Sequence, residues 1–413
     1  MQAGSEPDDP KLSLHPQPGE PQFLPRLSHG QQALIPLLAD RGVRSVVAPL
    51  YYLHHNPELS LLPVGRPLGR VLDPCTQLRQ KPWNERAEGF RQLPFGNDPL
   101  PYTPDTARLS DTELFDLATM PIDAQRAAGG TLMLTSFHLA AGIGTRGRDI
   151  ELLLAQVGIE HFRNQAMFEA PPFAAVDIPR EIYACLAVDV RDLASPRARR
   201  ELADAYLGLG ADGLWVKIAN FHERAPKRAI RDAGAFLSIL RDGGITVVSC
   251  GPGQLHLALL TDDISASIGL GESERFVIPT TWRNNTDNRR KGRTRMAYHP
   301  KFHASFRVGS REAARAFKLA GCSCSQHASA EPPTGLVVAR HAAILRTDQA
   351  MEALSGEREE RREWLLASSA VASWAAADAE IANGYTSGSC YEALFNGLDA
   401  GDDDVAIGEQ TQL

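Results

Sequence analysis

Four side chains in the last third of this 413-residue chain have the types and spacing of metal ligands. Cys322 and Cys324 stand one residue apart, His327 follows in the same short stretch, and His341 comes after a loop. Thiolate and imidazole are good Zn²⁺ donors, and four protein donors leave no open position for water, so the ion expected here is structural rather than catalytic. Two cysteines this close in sequence do not make a relaxed disulfide. The competing reading is a loop with two thiols and two incidental histidines.

A second set of residues has acid–base, cationic or amide side chains directly after short apolar runs. These are Asp73 after "RVL", His138 after "TSF", Asp189 after "CLAV", Lys217 and Asn220 within "VKIANF", and Glu272 and Glu274 after "IGLG". Carboxylates arriving from different strands at one pocket suit general acid–base or nucleophilic chemistry on a glycosidic bond. Each aspartate alone is equally well explained as the N-cap of the following helix. A third set is cationic. The stretch 280–296, "TTWRNNTDNRRKGRTRM", sets six basic residues against Asp287 and includes Trp282. Arg283, Arg289, Arg290 and Lys291 would meet phosphates and Trp282 would stack on a base, or the stretch is a solvated surface loop. His299 and His303 are four apart, but Pro300 disfavours a helix between them, so they read as structural or pocket-lining histidines.

The elements that must position these groups alternate. Branched, apolar runs at 45–52, 69–74, 131–137, 183–190, 213–221, 245–251 and 264–270 read as strands. Between them, stretches such as 197–210 and 229–244 carry apolar residues at helical spacing and end in glycine. Such alternation argues for a parallel sheet with crossover helices, and seven or eight units fit a (β/α)8 TIM-like barrel. Its active site belongs at the C-terminal strand ends, where the second set lies. "CGPGQLHLALL" (250–260) reads as a strand, a glycine turn and a helix start, with backbone N–H groups available to an anion or simply a tight connection. The expected organisation is a disordered proline-rich lead at 1–22, the barrel at 23–318, a zinc-stapled helical subdomain at 319–396 and a disordered acidic tail at 397–413. Cys185 and Cys250 fall inside strands and read as core; Cys75 and Cys390 are isolated.

Composition excludes some classes. With 43% hydrophobic and 23% charged residues the chain reads as an ordinary globular protein, and its formal charge of −7 gives no overall attraction to nucleic acid or anionic membrane. No window approaches a membrane span. Few cysteines and an acidic, proline-rich start point to the cytoplasm.

Three motifs resemble landmarks of the tRNA-guanine transglycosylase superfamily: "VLDPCTQL" (71–78), "LAVD" (186–189) and "IGLGESERF" (268–276). The resemblance implies a TIM barrel whose base pocket is lined by a D-S-G-G-F-Q strand end, a second aspartate and a glycine–glutamate turn. On this sequence those positions bring in Asp73 and Asp189 as catalytic or base-recognising groups, with Gly271 and Glu272 as substrate contacts; Gln77, Lys217 and Asn220 are further expected substrate contacts. That family also carries a C-x-C-x2-C zinc motif with a distant His. Here the third ligand is His327 and the loop is shorter. Two departures stand out: Pro74, Cys75 and Thr76 replace Ser-Gly-Gly, and Arg275 and Phe276 precede "VIPTTWR" where a nucleophilic Asp and a Cys would be. The implied activity is base exchange by a glycosyltransferase on a nucleic-acid base or nucleoside, with tRNA or DNA as partner; a homo-oligomer is a separate expectation that the motifs do not carry. The missing nucleophile favours a catalytically inactive barrel that binds nucleic acid or a partner. A barrel enzyme acting on a small metabolite is the third reading.

Overall fold

The computed structural model describes residues 14–27, 31–55, 68–79, 88–96, 110–138, 145–168, 181–251, 253–270, 296–322, 324–325, 327, 329–334, 337–378, 381 and 387–401. Eight parallel strands close into a barrel: β1 (Phe23–Arg26), β2 (Ser45–Pro49), β3 (Gly69–Asp73), β4 (Leu132–Leu134), β5 (Glu181–Asp189), β6 (Gly213–Ala219), β7 (Thr246–Cys250) and β8 (Ser265–Gly269). Helices separate them: α1 (Ile35–Ala39), α2 (Leu50–His55), α3 (Glu88–Arg91), α4 (Asp111–Ala127), α5 (Thr145–Phe168), α6 (Pro196–Leu207), α7 (Lys227–Asp242) and α8 (Gln254–Leu259). A hairpin, β9 (Met296–His299) and β10 (Ala304–Arg307), leads to α9 (Arg311–Ala320), α10 (Val337–Ala353), α11 (Arg358–Asp378) and α12 (Gly388–Ala400). No helix among the described residues is long and apolar enough to cross a membrane.

Seven of the strands occupy the apolar runs predicted from the sequence. The eighth, β1, is a four-residue "FLPR" whose pairing comes from its neighbours: Phe23 to Arg26 register with Ala266 to Gly269 of β8, and Arg26 with Val47 of β2. Alternation then sorts the side chains. Leu24, Val47, Val71, Leu134, Tyr183, Cys185, Trp215 and Val248 form the inner cluster, so the next residues on the same faces, Arg26, Asp73, Lys217 and Asp189, continue up the lumen. The other faces pack outward against the helices, as Ile182, Leu186, Leu214 and Val247 do with α5 to α7.

Both ends of the packed body extend beyond the limits expected from composition. Residues 14–22, within the stretch read as a disordered lead, lie across the N-terminal end of the barrel. Tyr183 Oη donates to the Pro16 carbonyl at 2.8 Å, Gln17 Nε2 to Glu181 Oε1 at 3.0 Å, and Ser45 Oγ to the Leu14 carbonyl. At the other end α12 runs to Ala400, past the expected start of the tail at 397, because it crosses α7 at closest approach there. A Cβ on Gly397 would stand 2.1 Å from the Arg231 carbonyl oxygen, and one on Gly234 would stand 2.6 Å from that of Leu394. Glycine at both positions lets the two backbones touch.

Candidate functional site

Parallel strands put the C-terminal ends of β1, β3, β5 and β6 at one rim, and the side chains of those ends meet there. Asp73 ends β3 and is fully buried. Its Oδ2 accepts from Lys217 Nζ of β6 at 2.8 Å and from Arg26 Nη1 of β1 at 2.7 Å, while Oδ1 accepts the Cys75 backbone N–H at 2.9 Å. Burial pushes this carboxyl up, but Lys217 and Arg26 outweigh it and hold Asp73 well below the usual carboxylate range. Lys217 also stands 4.0 Å from the centroid of the Phe137 ring. Asp73 is thus ionised and engaged at both oxygens, which suits holding two cations in place better than shuttling a proton.

The turn after Asp73 shows how this sequence departs from the family motif it resembles. Cys75 stands where that motif has glycine, yet adopts a φ of 52°, a left-handed conformation that glycine enters far more readily. The Asp73 Oδ1 bond stabilises this turn. Thr76 Oγ1 ties the next residue to β4's end, donating to the Phe137 carbonyl at 2.7 Å and accepting its N–H at 2.8 Å. Burial, then the nearby Asp73 charge, pushes the Cys75 thiol up to about 12, so it is a neutral thiol. Gln77 is half-buried, and its Oε1 is enclosed with no hydrogen-bond partner among the described residues.

Asp189 ends β5 on the same inward-facing register. It is a cap, as an aspartate after a strand often is, and it also faces the mouth. Its Oδ1 caps the following turn by accepting the Arg191 N–H at 2.9 Å, and its Oδ2 accepts from Asn220 Nδ2 at 2.7 Å. Arg191 closes the group, with Nε 2.8 Å from Oδ1 and Nη2 3.0 Å from Oδ2, but its side chain is 63% exposed against 2% for Asp189. An exposed partner of this kind holds weakly, by about 0–1 kcal/mol, so a ligand can displace it. Asn220 reaches Asp189 because it turns the chain at the end of β6 with a φ of 62°.

The four Cys and His residues converge. One candidate ligand atom from each of Cys322, Cys324, His327 and His341 lies within 4.8 Å of all the others. His341 Nδ1 is 3.6 Å from Cys322 Sγ and 3.3 Å from Cys324 Sγ. These separations bracket the edge of about 3.5 Å that follows from Zn–S near 2.3 Å and Zn–N near 2.0–2.1 Å at tetrahedral angles. The ring orientations fit as well. His341 Nε2 lies 2.6 Å from the Tyr298 carbonyl, which fixes the proton there and turns the Nδ1 lone pair toward the sulfurs. His327 Nδ1 is buried without a hydrogen-bond partner among the described residues. Burial lowers the pKa of both imidazoles and keeps them neutral, the ligating form. This donor set fits Zn²⁺, and the cluster can hold a metal ion. Its helix also reaches the rim, since Arg346 on α10 donates to the Gly269 carbonyl at the end of β8 at 2.6 Å.

Comparison with protein-family models and with curated proteins finds no match. The resemblance to the transglycosylase superfamily therefore rests on the residues themselves and on the closed barrel they build.

Other expectations resolve less evenly. Gly271, Glu272, Glu274, Trp282, Arg283, Arg289, Arg290 and Lys291 lie outside the described residues. The glycine turn before α8 is not open to an anion, because Glu223 of this chain accepts the Gln254 N–H. His299 and His303 are buried and structural, His299 Nε2 lying 2.8 Å from the Gly321 carbonyl and His303 Nδ1 3.1 Å from Tyr391 Oη. His138 pairs with Glu151 of α5, which accepts its backbone N–H at 2.8 Å and faces Nδ1 at 3.2 Å. Arg26 escaped the sequence reading altogether. The signal was an arginine directly after three apolar residues, in a run too short and too proline-marked to read as a strand.

Proposed function

We propose that this chain is a transglycosylase-like barrel that takes a nucleic-acid base or nucleoside into its C-terminal mouth and exchanges the base at the glycosidic bond. The observation that carries this reading is the placement of Asp73 and Asp189 on inward-facing positions at the C-terminal ends of two strands of one closed barrel. Asp189, behind a displaceable arginine, is the acid–base group. Asp73 orients Lys217 and Arg26 toward the ligand. Asn220, Gln77, Gly271 and Glu272 contact the base, and the basic stretch with Trp282, Arg283, Arg289, Arg290 and Lys291 holds the phosphates of tRNA or DNA. The metal at Cys322, Cys324, His327 and His341 is Zn²⁺ in a structural role. Incorporation of labelled free guanine into tRNA or DNA by the purified protein tests the reading.

One observation favours a second reading, a barrel that binds but does not turn over. Asp73 has both oxygens engaged and stays ionised, so it offers neither a proton nor a free nucleophilic oxygen. Binding of nucleic acid without exchange, retained in Asp189→Asn, would select it.

A further inference from the structure

A cavity of about 340 Å³ opens between α10, α11 and the turn that joins β9 to β10. That volume lies at the lower end of the roughly 300–1,000 Å³ range of small-ligand pockets. Part of its wall is apolar, formed by Leu345, Val371 and the Trp364 ring. Its polar groups are unevenly satisfied. Gln349 is only 5% exposed, and Tyr298 Oη, which accepts from Gln254 Nε2 at 2.9 Å, donates to Gln349 Oε1. The Gln349 amide nitrogen is left without a hydrogen-bond partner among the described residues. A donor held out of water is costly unless an acceptor joins it. Glu352 is the second group. One of its oxygens accepts Trp364 Nε1–H at 2.8 Å, and the carboxylate makes no ion pair among the described residues. Asp348 on the same helix is different, since Arg41 Nε meets it at 3.0 Å.

These groups define the ligand they would hold. An ionised carboxylate only accepts, and its two oxygens take two N–H groups that lie side by side. The Gln349 nitrogen donates, so the ligand must also carry an acceptor. The aromatic wall favours a flat ring. Among the nucleobases, guanine alone presents two adjacent donors, N1–H and N2–H₂, with the O6 acceptor next to them. Adenine would turn an acceptor nitrogen toward the carboxylate.

We propose that the cavity between α10 and α11 is a second base site, for a guanine-type base. Glu352 accepts its paired N–H groups, Gln349 donates to its carbonyl oxygen, and the ring packs on Trp364. The site goes beyond the reaction assigned to the barrel mouth and does not depend on it. Helix α10 links the two places, because Arg346, one turn before Gln349, donates to the Gly269 carbonyl at the end of β8. The base arrives either as a free nucleoside or as an unstacked residue of a single strand, and recognition of its edge is the same in both.

Equilibrium dialysis of the metal-loaded full chain against labelled guanosine tests the site, with inosine and adenosine as competitors. Glu352→Gln changes an exposed side chain and puts donors where only acceptors stood; Gln349→Met removes the amide at similar length. The parent is expected to hold one guanosine that both variants bind at least tenfold more weakly. Inosine, which lacks the N2 amine, and adenosine should compete at least tenfold less well than guanosine. Guanosine held at the barrel mouth would appear as a further site, weakened in Asp189→Asn and untouched in Glu352→Gln, so the two readings fail separately. A single-stranded oligonucleotide with one unpaired guanine is the second probe. Whichever of oligonucleotide and nucleoside loses more affinity in Glu352→Gln names the source of the base. Equal guanosine affinity in the parent and Glu352→Gln, equal competition by adenosine, or no saturable guanosine site would overturn the proposal.

Discussion

Lys217 Nζ on β6 lies 2.8 Å from Asp73 Oδ2 on β3, and the carboxylate it meets has no exposure to solvent. A contact between residues 144 apart in sequence exists only because the barrel closes. It predicts a large asymmetry between two substitutions. Asp73→Asn takes the shared carboxylate charge away from buried Lys217 and half-buried Arg26 and should cost about 3–5 kcal/mol. Adding Lys217→Met to it should recover a good part of that loss. Denaturant midpoints of the three variants measure the coupling, and equal losses for the single and double variants would mean that the charges are not felt by one another.

The same contact sets a pH dependence. The folded pKa of Asp73 is depressed, so its contribution is fully present above the ordinary value of about 3.9 and is lost as pH falls through the lower folded value. The parent should therefore gain stability relative to Asp73→Asn as pH rises through about 4, then run parallel to it. Parallel curves across the whole acid range would show an Asp73 with an ordinary pKa.

How much of this was legible beforehand follows from which forces are local. The Cys/His cluster could be read from residue types because Cys322, Cys324 and His327 are close in sequence and His341 lies about one turn into the next helix. Seven strands could be read because branched, apolar runs between helical stretches imply a buried parallel sheet. The site was half legible: Asp73 and Asp189 follow such runs, but nothing near them announces that the first is neutralised twice over. That depends on β1, whose "FLPR" becomes a strand only through pairing with β8 and β2. The docking of residues 14–22 under the barrel is likewise tertiary, carried by groups such as Tyr183 and Glu181 far along the chain.

Asn220 gives a test of backbone and side chain separately. Its φ of 62° is tolerable for asparagine and costly for a β-branched residue. Asn220→Gly should keep stability within about 1 kcal/mol while releasing Asp189, whereas Asn220→Val should lose about 1–3 kcal/mol. Unfolding midpoints check this; equal stability of the two variants would mean that the turn is not constrained.

The metal cluster predicts about one Zn²⁺ per chain, with sulfur at about 2.3 Å, by mass spectrometry and X-ray absorption of untagged protein. Chelation or Cys324→Ser should loosen α9 and α10 first, seen as faster hydrogen exchange there than in β5 to β7. Absence of zinc with unchanged exchange would mean that the four side chains pack without an ion.

For the basic stretch the prediction concerns salt. Neutralising Arg289, Arg290 and Lys291 together should weaken binding to tRNA or DNA and reduce the slope of log affinity against log salt by about one unit for each phosphate no longer held. Binding with an unaltered slope would place the phosphates elsewhere on the molecule.

The most direct measurement is base exchange itself: metal-loaded protein, tRNA or DNA, and labelled free guanine, with label followed into the acid-insoluble nucleic acid. Time-dependent incorporation by the parent, reduced at least a hundredfold in Asp189→Asn while that variant keeps its fold, is the predicted result. No incorporation into either nucleic acid by folded, metal-loaded parent protein, or equal incorporation by Asp189→Asn, would contradict the account.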